Sequence, residues 1–139
     1  MRIIRAILLA AVFTIAPACV ATKVVTVPVG LAVDAVGELK GESVKVFDVA
    51  ELTTIADHMV ICTGRTNRHV KRLGETVVQH AKAQGLAPRV EGLDQAEWVL
   101  IDLNGVVVHI MQPVTRAYYQ IEKLWDVDLA TTGANSSPT

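Results

Sequence analysis

Cysteine is nearly absent from this chain. Cys19 and Cys62 are the only two in 139 residues, and they form no Cys-x-x-Cys motif. Neither a disulfide framework nor a zinc site can be built from them, and Cys62, inside an apolar run, reads as a small buried residue. An excess of charge of one sign is also lacking: 13 basic against 14 acidic residues leave a net charge of −1. Without a global electrostatic drive toward phosphate backbones, a primary role in binding nucleic acid is disfavoured. Aromatic residues make up only 4%, so Trp98, Trp125, Tyr118 and Tyr119 can be considered one by one. The apolar run over residues 6–16 falls short of the roughly 20 residues that span a bilayer. No Gly-x-Ser-x-Gly, Walker loop or His-Glu-x-x-His occurs.

What is present is a core. Hydrophobic residues make up 51% of the chain, enough for one domain with a sizeable interior. The most informative stretch is residues 98–111, WVLIDLNGVVVHIM, where two apolar runs flank Asn104-Gly105. That dipeptide suits a two-residue hairpin turn because both central positions need positive φ. The register follows, with Trp98 opposite Met111 and Asp102 opposite Val107. One face is then Val99, Ile101, Leu103, Val106, Val108 and Ile110, wholly aliphatic and suited to a core. The other is Trp98, Leu100, Asp102, Val107, His109 and Met111. It reads either as a surface that meets a partner or as a face covered by a second helical layer.

Other elements follow from periodicity and punctuation. Leu31, Ala35, Val36 and Leu39 predict a helix ended by Lys40-Gly41, with residues 23–30 as a connector. Residues 44–49 read as a strand and 51–56 as a loop. Met59 to Thr63, apolar on both faces, reads as a central strand. Thr66 caps a helix with Val70, Leu73, Val77, Val78 and Ala81 as its apolar stripe, closed by Gly85. Residues 89–91 form a short strand before the hairpin. Pro113 opens a last helix expected to turn Ala117, Tyr118, Ile121, Leu124 and Trp125 inward. The order α-β-β-α-β-β-β-α predicts an α/β fold: a mixed β-sheet with flanking helices.

Chemistry is sparse. Gly64-Arg65, between a strand and a helix N-terminus, followed by Arg68, His69, Lys71 and Arg72, reads either as an anion pocket or as a solvated helix face. His69 and His80 share that helix but stand about 16 Å apart at 1.5 Å rise per residue, too far to chelate one metal. His58 and His109 lack ligand spacing and read as structural. A nucleotide-handling enzyme of nucleotidyltransferase-like fold is the alternative reading, with Gly64-Arg65 at the helix start and Asp102 as a strand carboxylate. It fails on ligand count: two Mg²⁺ ions need a carboxylate pair, whereas Asn104 is committed to the turn and Asp126-Val127-Asp128 lies in the tail.

Residues 56–71 (ADHMVICTGRTNRHVK), Val90-Glu91-Gly92, residues 97–103 (EWVLIDL), residues 107–112 (VVHIMQ) and Leu124-Trp125 resemble the ribosomal silencing factor (Iojap) family, in its order and spacing, from about Leu31 to Asp126. The resemblance implies a nucleotidyltransferase-like α/β fold without catalytic residues, no enzymatic activity and no cofactor. It implies a translational repressor that binds the large ribosomal subunit through universal large-subunit ribosomal protein fourteen and blocks joining of the small subunit. A homodimer is implied as well. Trp98 belongs to the block that meets the ribosomal protein in the family. With it, Leu100, Asp102, His109 and Met111 form the expected partner-binding set, and Arg65, Arg68 and Arg72 a secondary one.

The N-terminus departs from this pattern. Residues 1–22 have a short basic start, an apolar run and Ala16-Pro17-Ala18, and so look like a secretory signal. A ribosome-binding protein acts in the cytoplasm, so residues 1–30 are best explained as an overlong start, ahead of a retained extension or an organelle-targeting segment. The expected organisation is residues 1–30 as a signal-like or mis-called extension, 31–126 as the domain and 127–139 as a disordered tail.

Overall fold

The structure is a computed structural model and describes residues 26–126. The signal-like segment and the tail lie outside the described residues. The elements are α1 (Thr26–Glu38), β1 (Glu42–Asp48), β2 (His58–Thr63), α2 (Asn67–Ala83), β3 (Arg89–Glu91), β4 (Trp98–Asp102), β5 (Val106–Met111), α3 (Pro113–Tyr119) and a 3₁₀ turn, Ile121–Leu124. They form one five-stranded sheet in the order β1-β2-β5-β4-β3. Only β2 and β5 run parallel; the other neighbours are antiparallel. The parallel pair requires a long crossover, and the chain from α2 through β4 supplies it. No helix among the described residues is long and apolar enough to cross a membrane.

The hairpin forms in the expected register, from Trp98 opposite Met111 to Asp102 opposite Val107. Asn104 has φ 62° and Gly105 φ 110°, and the Leu103 N–H donates to the Val106 carbonyl at 2.8 Å. The aliphatic face of the hairpin is buried against Val60 and Cys62 of β2, Val70, Leu73, Val77 and Ala81 of α2, and Ala32, Ala35 and Val36 of α1. Both long helices thus cover the same side of the sheet. At the start of α2, Thr66 is extended and its hydroxyl accepts the His69 N–H at 3.1 Å. At the end, Gly85 donates to Lys82 and Leu86 to Ala81, the paired closure that satisfies the last carbonyls.

Three expectations are corrected. First, α1 begins at Thr26 rather than Leu31. Pro28 sits in its first turn, where a missing N–H leaves no intrahelical bond unmade, so a proline-bearing stretch read as a connector is helix. Second, β1 begins at Glu42, with an irregular register between Glu42 and Lys45 and Ser43 at φ 48°. Third, the last helix is short. Gln120 adopts the left-handed conformation (φ 47°, ψ 46°), ends α3 after seven residues and tightens the chain into the 3₁₀ turn. The inward stripe therefore does not exist: Tyr118 is 79% exposed, Leu124 67%, and neither α3 nor the 3₁₀ turn buries a residue.

Candidate partner-binding face

The side of the sheet opposite α1 and α2 carries Met59, Ile61 and Thr63 from β2, Val107, His109 and Met111 from β5, and Trp98, Leu100 and Asp102 from β4. Burial divides this set. Met111 and Ile61 are fully enclosed and His109 nearly so, whereas Trp98, Leu100 and Asp102 are half-buried. Met111 and His109 therefore back the surface rather than form it.

Trp98 is held from two sides. Its indole N–H donates to His109 Nδ1 at 3.1 Å, and its ring stands 5.1 Å from that of Tyr119, tilted by 49°. Tyr118 meets Tyr119 edge-on at 5.0 Å. Tyr118, expected inside, instead joins Tyr119 in continuing Trp98 into an exposed aromatic patch. The adjacent Tyr118-Tyr119 pair just before a chain reversal was the available signal, but helical periodicity assigned Tyr118 to the core.

His109 accepts at Nδ1, so the proton of the neutral ring resides on Nε2, a buried atom with no hydrogen-bond partner. Burial pulls the His109 pKa down to about 4. The unfolded chain, with an ordinary value near 6.5, binds the proton first. Stability is then complete above about pH 6.5 and falls by roughly 3 kcal/mol as the pH drops toward about 4. Thermal unfolding between pH 4 and 7 should show this slope, and His109→Gln should flatten it. An equal slope in the variant would assign the acid sensitivity to other groups.

The remaining sequence candidates are not brought together. Arg65 is engaged by an ion pair with Glu42, and its N–H donates to His69 Nδ1 at 3.0 Å. The other nitrogen of His69 then donates to the Leu39 carbonyl at 2.8 Å, tying the start of α2 to the end of α1. Arg65 and His69 are thus engaged within the protein. Arg68 and Arg72 are exposed and flank a shallow depression with Leu39 and Thr66.

Gly64 follows Thr63, which pairs with Met111, whereas Asp102 pairs with Val107. Four residues of strand, about 13 Å, separate these levels. Asp102 instead accepts the Asn104 N–H at 2.8 Å and stabilises the turn. No nucleotidyltransferase-like constellation assembles from these two points. No group of three potential metal ligands occurs among the described residues. Cys62 is fully buried, and that burial raises its thiol pKa to about 11.

Comparison with known proteins accords with this geometry. The family model described as "Ribosomal silencing factor during starvation" matches residues 25–138. A ribosomal silencing factor from Halalkalibacterium halodurans is 43% identical over 96 residues, covering 68% of this chain and 82% of that protein. A mouse protein named for mitochondrial assembly of the ribosomal large subunit is 33% identical over 91 residues, covering 59% of this chain and 40% of its own length. A crystal structure of a Chromobacterium violaceum protein superposes with a TM-score of 0.72 at 34% identity, covering 83% of this chain and 90% of that one. The length of the family match, together with a shared fold at this level of identity, leads to one conclusion: the chain belongs to the ribosomal silencing factor family.

Proposed function

We propose that this protein is a cytoplasmic translational repressor that binds the large ribosomal subunit through universal large-subunit ribosomal protein fourteen and blocks association with the small subunit. Family membership supports a ribosome-associated regulator of translation. The observation that carries the finer reading is the half-buried Trp98, packed against Tyr119, on a sheet face with no long helix over it among the described residues. Interface centres favour such aromatic anchors and few charges. A net charge of −1 suits a protein partner better than rRNA phosphates. Trp98, Leu100 and Asp102 are the proposed contacts, with His109 and Met111 beneath them and Arg65, Arg68 and Arg72 secondary. The acting unit is the domain, possessing no catalytic activity and able to form a homodimer. Its edge is better set at Thr26, where α1 begins, than at Leu31.

The test is sedimentation. Purified protein should co-migrate with large subunits on a sucrose gradient, without added nucleotide, and stoichiometric amounts should lower the yield of joined ribosomes from isolated subunits. Co-migration with small subunits alone, or an undiminished yield of joined ribosomes, would refute the reading.

A further inference from the structure

The aromatic patch depends on α3, yet α3 buries no residue and neither does the 3₁₀ turn after it. Apolar packing therefore cannot account for where Tyr119 stands. Polar bonds do. Arg116, its side chain only 10% exposed, reaches out of α3 in three directions. It forks onto Glu122 of the 3₁₀ turn, with Nη2 at 2.6 Å from one carboxylate oxygen and Nε at 3.2 Å from the other. Its Nη1 donates to the Thr63 hydroxyl at 2.7 Å and to the Ser43 carbonyl at 2.8 Å. Ser43 lies in the irregular stretch of β1, and Thr63 pairs with Met111, itself opposite Trp98. One guanidinium thus joins the 3₁₀ turn, α3 and the last residue of β2. Lys45, 3.6 Å from the same carboxylate, adds a weaker tie from β1.

We infer that Arg116 is a positioning residue for partner binding: its clamp on Glu122, Thr63 and Ser43 fixes α3 against the sheet so that Tyr119 packs against Trp98. This rests on the proposed use of the Trp98 face. A bidentate, largely desolvated guanidinium is suited to the task because its planar fork holds several acceptors in fixed directions. A lysine keeps the charge but has no such fork. The ion pair lowers the Glu122 pKa, chiefly through the Arg116 hydrogen bond.

The test uses the full chain with Trp125→Phe, which leaves Trp98 as the one fluorescent indole. In that background Arg116→Met should shift Trp98 emission to longer wavelength as Tyr119 leaves the ring. It should also weaken large-subunit binding at least about tenfold. The melting temperature should move by only a few degrees, because the segment contributes no buried apolar side chain and methionine keeps the aliphatic stem of Arg116. Arg116→Lys should fall between Met and the parent in both emission and affinity. Unmoved emission or unmoved affinity in Arg116→Met overturns the inference. Should the parent itself fail to bind large subunits, the functional reading falls, and the emission of the free protein still decides whether the clamp orients Trp98.

Discussion

Trp98→Ala is expected to abolish measurable association with large ribosomal subunits while leaving the domain folded. Truncating a central interface tryptophan costs about 2 kcal/mol or more of binding, at least about thirtyfold in affinity. The folding cost should be smaller, because Trp98 is half-buried and stands outside the cluster formed by Val60, Leu73, Val99 and Ile110. Losing its hydrogen bond to His109 and its contact with Tyr119 should cost about 1 kcal/mol, or roughly 4–8 °C in melting temperature for a domain of this size. A core tryptophan would cost about 3–5 kcal/mol. Calorimetry and a subunit-binding assay on the same preparation separate the two. A melting temperature lowered by 20 °C or so, with normal binding per folded molecule, would place Trp98 in the core and move the interface to another surface.

Gly92→Ala should be the most damaging single-methyl change in the hairpin region. Gly92 ends β3 at φ 85°, and a Cβ placed there would lie 2.1 Å from the Trp98 carbonyl oxygen and 3.2 Å from its carbon. Both are backbone atoms of β4, so no side chain can swing aside. Left-handed strain alone costs about 1–2 kcal/mol, and displacing β3 from β4 should raise the total to about 3–5 kcal/mol. The melting temperature should fall by more than about 12 °C. Gly105→Ala is the control. It also has positive φ, but its Cβ would meet only the end of the Asp57 side chain, at 3.2 Å, which can move. It should show the strain cost alone. Equal losses in the two variants would mean that φ, not the approach of the β4 backbone, decides the penalty at Gly92.

The parts of this fold legible in the sequence are those whose determinants are local. Asn104-Gly105 specifies the turn because few residue pairs accept two successive positive φ values, and the turn then sets the whole β4–β5 register. Thr66 and Gly85 bracket α2 through bonds to residues within a few positions. Val99, Ile101 and Leu103 alternate into the core because strand geometry leaves them no other side. Where the reading missed, the cause was a local exception at α1 and a distant contact at α3. Pro28 looked like a boundary by composition, yet α1 continues through it. Tyr118 fits an inward helical stripe, but Gln120 breaks that stripe, and Arg116 anchors the segment to Ser43 and Thr63, far back in the sequence.

The second face of the sheet shows the same division. Trp98, Leu100, Asp102, His109 and Met111 share that face by alternation alone, so their grouping is a property of the sequence. Their exposure is not. Met111 is enclosed and Trp98 half open because β5 lies between β2 and β4, while β4 is nearer the sheet edge. Gly64-Arg65 and Asp102 could be imagined as one site until strand direction set them at opposite ends of the sheet. The sequence by itself determined α2, the central strands, the hairpin register and the core face, since each depends on residues a few positions apart. Only the tertiary structure decided which of the remaining groups meet and which face solvent, since strand order and the Arg116 clamp act between residues that the chain keeps far apart.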